Sequence, residues 1–303
     1  MDDDAVLPDD DCVVIEVAVN GVTRKDRNPA APETPDEVAA DALACLEAGA
    51  SVVHTHPLRS FAERHGPADT AEEYAQAYRQ VLAERPDAIL YPTMSGGTTI
   101  AERYDHHRHL AAEGLIRCGA LDSGSVNLAS FGADGLPTDT DFVYTNSPAD
   151  IRSMMATCAE VGIGPSIAIY EPGFLRMVLG FHQHGTLPAG TLVKFYFSGD
   201  DGFFGSGLPT YSAPPIPEAF ALYRAMLGDA DLPWAVTVLG GDLLSTPVAD
   251  LALAQGGHLR VGLEDHPGAE SNVVQVERAV EAAARHGRRP ATCTEAAKLL
   301  RLP

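Results

Sequence analysis

The stretch TPDEVAADALACLEAGASVVHTHP, Thr34 to Pro57, holds a helix and the strand that follows it, and its reading decides the fold. Thr34 is placed to cap a helix, Pro35 sits in its first turn, and Gly49 falls near its end. SVVHTHP then reads as a short apolar run of the kind buried in a parallel sheet. Side chains alternate along a strand, so His54 and His56 share a face while Thr55 points away.

The same grammar repeats in both directions. Seven more candidate strands read CVVIEVAVNG, AILYPTM, CGALDSG, PSIAIYE, TLVKFYFS, WAVTVLG and HLRVGLED. Between them, SPADIRSMMATCAEVG and STPVADLALAQGG again open on a hydroxyl and Pro and close on Gly, and ESNVVQVERAVEAAARHG follows the eighth strand. Eight strand-helix units in one chain of 303 residues predict an α/β fold, a (β/α)8 TIM barrel, as a single domain over residues 1–303. An acidic tail over 1–11 precedes it, and a C-terminal helix over 292–303 closes it. A doubly wound open sheet is the alternative, without an evident reason for so regular an eightfold alternation. Neither GxGxxG after the first strand nor GxxxxGK[ST] is present, so dinucleotide and P-loop sites lack local support.

With 45% hydrophobic residues the chain can bury a large core. Acidic residues number 42 against 21 basic, a formal net charge of -21 that repels nucleic acid and anionic membranes. The opening MDDDAVLPDDDC has no signal-like apolar segment, and no run is long enough to span a bilayer, so a cytoplasmic protein is expected. Five scattered cysteines without a CxxC pair read as buried thiols.

Functional residues of a barrel gather where strands end. His54 and His56 sit at such an end. In RVGLEDHPG a period of two puts Arg260, Gly262 and Glu264 on one face, assigned to the interior. Strand eight neighbours strand one, which neighbours strand two, so Glu264 can lie beside the histidines. Two imidazoles and a carboxylate make a three-ligand metal set with an open position. His182 and His184 also form an HxH, but near a helix end, where residues two apart diverge. DHHRH, Asp105 to His109, is expected on the solvated face of a helix. Arg260 and Asp265 read as a barrel ion pair, or as an arginine meeting an anionic ligand.

Taken together, AVNG, NPAAPETPDEVAADALACLEAGASVVHTHP, SGG, YEPG, WAV, GGHLRVGLEDHPGAESN and RRPATCTEAAKLL resemble the β-keto acid cleavage enzymes over nearly the whole chain. That resemblance implies a TIM barrel and a zinc ion on His54, His56 and Glu264. It also implies exchange of a β-keto acid with acetyl-CoA to give acetoacetate and a new acyl-CoA. A His2Glu set equally suits manganese, iron or cobalt. Asp265 matches the family's catalytic Asp and is the candidate base, tuned by Arg260. Glu171, in YEPG, is either a second pocket carboxylate or an acid at a helix N-terminus. Ser271 and Asn272 are candidates for the CoA phosphates, with a simple helix cap as the alternative. The substrate pocket is expected to involve Asn20, Met94, Ser95, Gly96, Ala120 and Asp122. Family members associate, so a homo-oligomer, dimer or tetramer, is expected.

Several pocket positions depart from the family pattern. NGVTRKDRNP places Thr23, Arg24 and Lys25 where a family member carries a Glu that meets a substrate amine, and a basic rim there favours an anionic or neutral side chain. Met94 replaces a Ser before Ser95, and Ala120 replaces a Thr, unless Asp122 or Ser123 substitutes. SGDDGFFGSG puts Asp200, Asp201, Phe203 and Phe204 where a glycine-rich loop is expected, and Asp242 replaces an Arg. Acidic groups there would repel CoA phosphates. A CoA-independent metal hydrolase or retro-aldol lyase on a keto acid or lactone is therefore the second reading, and a silent ligand-binding barrel the third.

Overall fold

The computed structural model describes residues 11–201, 207–268 and 270–303. Ten strands run in chain order: β1 (Cys12–Val13), β2 (Ile15–Ala18), β3 (Val52–Thr55), β4 (Ile89–Pro92), β5 (Cys118–Asp122), β6 (Gly164–Ile169), β7 (Leu192–Ser198), β8 (Trp234–Leu239), β9 (His258–Val261) and β10 (Arg289–Pro290). The helices are α1 (Pro35–Ala48), α2 (Pro67–Glu84), α3 (Ile100–Tyr104), α4 (His106–Ala112), α5 (Pro148–Val161), α6 (Pro172–Gln183), α7 (Pro217–Leu227), α8 (Pro247–Ala254), α9 (Asn272–Arg285) and α10 (Cys293–Leu299).

Eight strands form one sheet in the order β4-β3-β2-β9-β8-β7-β6-β5, with every ladder parallel. β4 and β5 lie against each other at the seam, and the result is a nearly closed (β/α)8 barrel. Every strand in that sheet is an expected one, and α1 and α5 are capped where the sequence puts the caps, whereas Thr246 makes no side-chain cap bond at α8, which ends at Gln255 rather than at a glycine. Thr34 Oγ1 accepts from the Glu37 amide at 3.2 Å, and Gly49 ends α1 in a left-handed conformation at φ 120°. The first strand divides in two. Cys12–Val13 pairs with β10 rather than with the barrel, leaving Ile15–Ala18 as the barrel strand. The acidic tail lies outside the described residues except for Asp11, whereas the C-terminal helix forms with Thr292 as its cap.

Register sets the site. Ala18 stands opposite His54, and Glu16 stands opposite Arg260, so the first, second and eighth barrel units bring their chain ends together. Beyond the strand ends, the loop after β5 closes on itself at Val126–Tyr144 and folds against the one after β7 through a bridge at Ser130–Pro209 and amide bonds from Phe131 to the Leu208 carbonyl and from Thr210 to the Ala129 carbonyl. These two loops roof the catalytic end.

The expectation for DHHRH is corrected. α4 is wedged against α2 and α5, and His106 and His107 are fully buried. His106 Nε2 lies 2.8 Å from the Thr93 carbonyl and its ring stacks on Tyr74; His107 stacks on Tyr104 with centroids 4.1 Å apart. Burial holds both imidazoles neutral, that of His106 pushed down to about 4, and a neutral histidine packs as an aromatic.

Candidate metal centre and active site

Glu264 does not reach the histidines by strand alternation. β9 ends at Val261, and Gly262 then takes φ +126°, with no room for a Cβ against the backbone of Ala18. The chain turns there, and Glu264 enters from the turn. A second glycine makes space for it, since a Cβ on Gly21 would lie 2.4 Å from Glu264 Cγ. His56, one residue beyond β3, is held by its backbone: Asn20 Nδ2 donates to the His56 carbonyl at 3.0 Å and its Oδ1 accepts from the His56 amide at 2.8 Å.

The side chains converge. Glu264 Oε2 lies 3.3 Å from His54 Nε2, and Oε1 lies 3.1 Å from His56 Nε2. The two separations involve different carboxylate oxygens; one donor atom from each of the three residues can be taken with all three within 4.8 Å of one another, close enough to share one divalent ion. Among the described residues, buried Glu264 Oε2 has no hydrogen-bond partner, as expected of an oxygen facing a metal. Burial drives His54 well below the ordinary histidine pKa, which keeps its imidazole neutral and able to ligate. Burial opposes charge on Glu264 too, but Arg260, His56 and His54 outweigh it and hold the carboxyl well below its usual range. Among the described residues, this is the one group of three His, Cys, Asp or Glu side chains close enough to hold an ion.

Beneath the histidines lies a buried ionic cluster. Arg260, 1% exposed, donates from Nε to Asp265 Oδ2 at 2.8 Å and from Nη2 to Oδ1 at 3.1 Å. It also meets Glu264 Oε1 at 3.0 Å and Glu16 Oε1 at 2.8 Å. Lys194 Nζ adds bonds to Glu16 Oε1 at 3.0 Å and to the Tyr91 hydroxyl at 2.7 Å, and the Tyr91 ring packs 4.4 Å from His54. Thr237 Oγ1 donates to Asp265 Oδ2 at 2.8 Å. Burial raises the Asp265 carboxyl above its ordinary value, and Arg260 offsets this only in part. Arg260 thus ties three carboxylates and fixes where Glu264 and Asp265 stand.

A cavity of about 250 Å3 opens above His56 and Glu264. Met94, Ser95, Gly96 and Asp122 line it, while Asn20 bonds the His56 backbone and Ala120 packs in the core of the barrel wall. Glu171 lies elsewhere. Its carboxylate accepts from the Ser212 amide at 3.0 Å at the start of α6 and faces an adjoining depression with Thr210, on the far side of Phe142 and Tyr211, which line both. Ser271 caps α9, and Asn272 is fully buried, bonded to Val19 O, Leu263 N and Asp41. At the rim, Thr23 Oγ1 bonds Leu263 O, Arg24 reaches Leu58 O, and Lys25 pairs with Glu37, so none of the three lines the cavity. Asp200 and Asp201 are exposed and Asp242 pairs with Arg278; Phe203 and Phe204 lie outside the described residues.

Sequence reading missed Glu16 and Lys194, although a lone charge inside CVVIEVAV and inside TLVKFYF is a signal. It also missed the aromatic walls, Phe142, Tyr144, Tyr170 and Tyr211, three of which come from aperiodic roof loops.

The family model described as beta-keto acid cleavage enzyme matches residues 12–302. The chain belongs to this family. It is 27% identical to a 3-keto-5-aminohexanoate cleavage enzyme of Fusobacterium nucleatum, over 96% of this chain and 98% of that one. It is 28% identical to a 3-oxoadipate:acetyl-CoA acetyltransferase of Cupriavidus necator, over 96% and 95%. The apo structure of ObcA superposes with a TM-score of 0.62 at 17% identity, over 90% of this chain and 66% of that chain, and supports the fold alone. Within the family, similarity does not choose a substrate, since two relatives at nearly equal identity carry names for an amino keto acid and a keto diacid.

Proposed function

We propose that this β-keto acid cleavage enzyme transfers the acyl part of a β-keto acid to CoA, using a divalent ion, zinc first among the candidates. The balance is R–CO–CH2–COO⁻ plus acetyl-CoA giving acetoacetate plus R–CO–SCoA. The C2–C3 bond of the keto acid breaks, a bond forms from C2 to the acetyl carbonyl carbon, and no redox change occurs. The observation that carries this reading is the His54, His56 and Glu264 convergence at the floor of a small cavity in a chain of this family. A divalent ion on these three residues supplies Lewis-acid stabilisation of negative charge on the keto acid oxygens.

The chain's own groups do the rest. We assign to Asp265, buried beneath the residues that line the cavity, the proton that C2 must lose; its Oδ1 accepts one bond from Arg260. Arg260 and Thr237 are positioning residues that hold this carboxylate in one orientation. The roof loops exclude water that would divert the thioester. We place the enzyme in the cytoplasm, as five buried free thiols suit a reducing compartment, and no helix among the described residues is long and apolar enough to cross a membrane. The roof exposes Phe131, Leu136, Phe142, Val143 and Leu208, a surface suited to contact between copies in a homo-oligomer.

The test uses Glu264→Ala and Asp265→Asn with a panel of β-keto acids, following acetoacetate and acyl-CoA together. Glu264→Ala is expected to lose metal and turnover, and Asp265→Asn to keep metal and lose turnover. Stoichiometric metal in Glu264→Ala overturns the ligand set. Keto acid loss without acyl-CoA in the parent chain overturns CoA transfer in favour of hydrolysis.

A further inference from the structure

We infer that the side chain R of the keto acid is cationic, a substituted ammonium, seated among the aromatic walls of the cavity and facing Asp122. This rests on the cleavage reading above and names the substrate class within it.

Among the described residues the lining carries two carboxylates and no Lys or Arg. Glu264 is committed to Arg260 and the histidines, which leaves Asp122. Asp122 is 9% exposed, and among the described residues the donor to its carboxylate is the Tyr144 hydroxyl, on Oδ2. Burial raises its carboxyl above the ordinary range, the mark of an acid whose charge lacks a close counterpart. Lys194 and Arg260 act on it from a distance, since their own bonds go to Glu16, Tyr91 and Asp265. Arg64 donates to Ser95 Oγ at 3.1 Å without itself lining the cavity.

Around that acid stand Phe142, Tyr144, Tyr170 and Tyr211, with Tyr170 and Tyr211 edge to face at 5.9 Å and 83°. Aromatic faces attract desolvated ammonium groups electrostatically and hold alkylated ones best. Tyr211, 4% exposed, has a buried hydroxyl with no hydrogen-bond partner among the described residues, a second polar atom open to a ligand. An anionic side chain would bring a third carboxylate among these groups, and among the described residues no Lys or Arg lines the cavity to pair it. A net charge of -21 also raises the local concentration of a cationic substrate. The expectation of an anionic or neutral side chain, drawn from Arg24 and Lys25, falls because neither reaches the cavity.

The experiment gives the metal-loaded full chain acetyl-CoA and four acids: 4-trimethylammonio-3-oxobutanoate, its uncharged carbon isostere 5,5-dimethyl-3-oxohexanoate, 5-amino-3-oxohexanoate and 3-oxoadipate. Acetoacetate formation is expected with kcat/KM at least tenfold higher for an ammonium acid than for the isostere, and the better ammonium acid distinguishes an alkylated from a primary head group. Asp122→Asn, which keeps the shape of the side chain, is expected to bring that ratio towards one. A kcat/KM for the isostere or for 3-oxoadipate that equals or exceeds both ammonium acids overturns the inference and leaves the cleavage reading standing. Absence of acetoacetate from every acid fails the cleavage reading instead. Calorimetric affinities of the same acids then decide the inference: tighter binding of the cation supports it, and equal affinity for the isostere overturns it.

Discussion

Gly21→Ala tests whether Glu264 is placed by the lack of a side chain beside it. Gly21 has φ +55°, so any Cβ carries left-handed strain of about 1–2 kcal/mol. The added Cβ would also lie 2.4 Å from Glu264 Cγ and 2.7 Å from its Cβ, and restoring ordinary contact at 3.4 Å moves the carboxylate stem by about 1 Å. Overpacking of this kind costs a further 1–3 kcal/mol or so. Metal-ligand distances tolerate only about 0.2 Å, so the displaced carboxylate cannot ligate, and metal affinity falls by roughly 100-fold or more. Gly162→Ala is the control, with φ +70° and nothing within 4 Å of its Cβ, so it carries strain alone. Denaturant unfolding of chelated protein and zinc competition against a chromophoric chelator separate the two effects. Both variants lose stability, and Gly21→Ala alone loses metal. A Gly21→Ala protein that binds zinc as tightly as the parent refutes the cradle.

Asn20→Ala removes both bonds to the His56 backbone and is expected to weaken metal binding by roughly 10–100-fold with little change in fold, read by the same competition. Lys194→Met leaves the 1% exposed Glu16 with one cation fewer, and unfolding measurements are expected to show a loss of about 3–5 kcal/mol, whereas Lys25→Met, at an exposed pair, changes little. The pKa of His106 is about 4 in the folded chain, below its ordinary 6.5, so the unfolded chain binds the proton first. Stability from this group is complete above pH 6.5 and is lost as pH falls towards 4, roughly 3 kcal/mol in all. His106→Gln, which can still donate to the Thr93 carbonyl, should lose about 2 kcal/mol less than the parent between pH 7 and pH 5. An unchanged pH dependence sinks that assignment.

Much of this architecture is legible in the sequence because apolar strands alternate with helical segments eight times, some of those segments marked by a cap. His54 and His56 follow from a period of two, and the neighbourhood of strands one, two and eight brings Glu264 to them. Glu264 arrives, however, through the turn at Gly262, which alternation cannot foresee because a positive φ breaks the strand. Asn272 shows another limit. A polar residue at a helix start suggests ligand binding or capping, yet this one is buried and spends its amide on Val19 and Leu263. His106 and His107 mislead because histidine counts as polar on a helix face, while the neutral ring stacks on tyrosines. The aromatic walls have no sequence signature, since Phe142, Tyr144 and Tyr211 come from loops whose meeting depends on the roof.

The most direct measurement supplies acetyl-CoA labelled with carbon-13 in both acetyl carbons to the metal-loaded protein and a processed keto acid, and follows each product by mass spectrometry. Transfer predicts acetoacetate heavier by both labels and a new acyl-CoA carrying none. Unlabelled acetoacetate, or cleavage of the keto acid with the labelled acetyl-CoA untouched, contradicts the account.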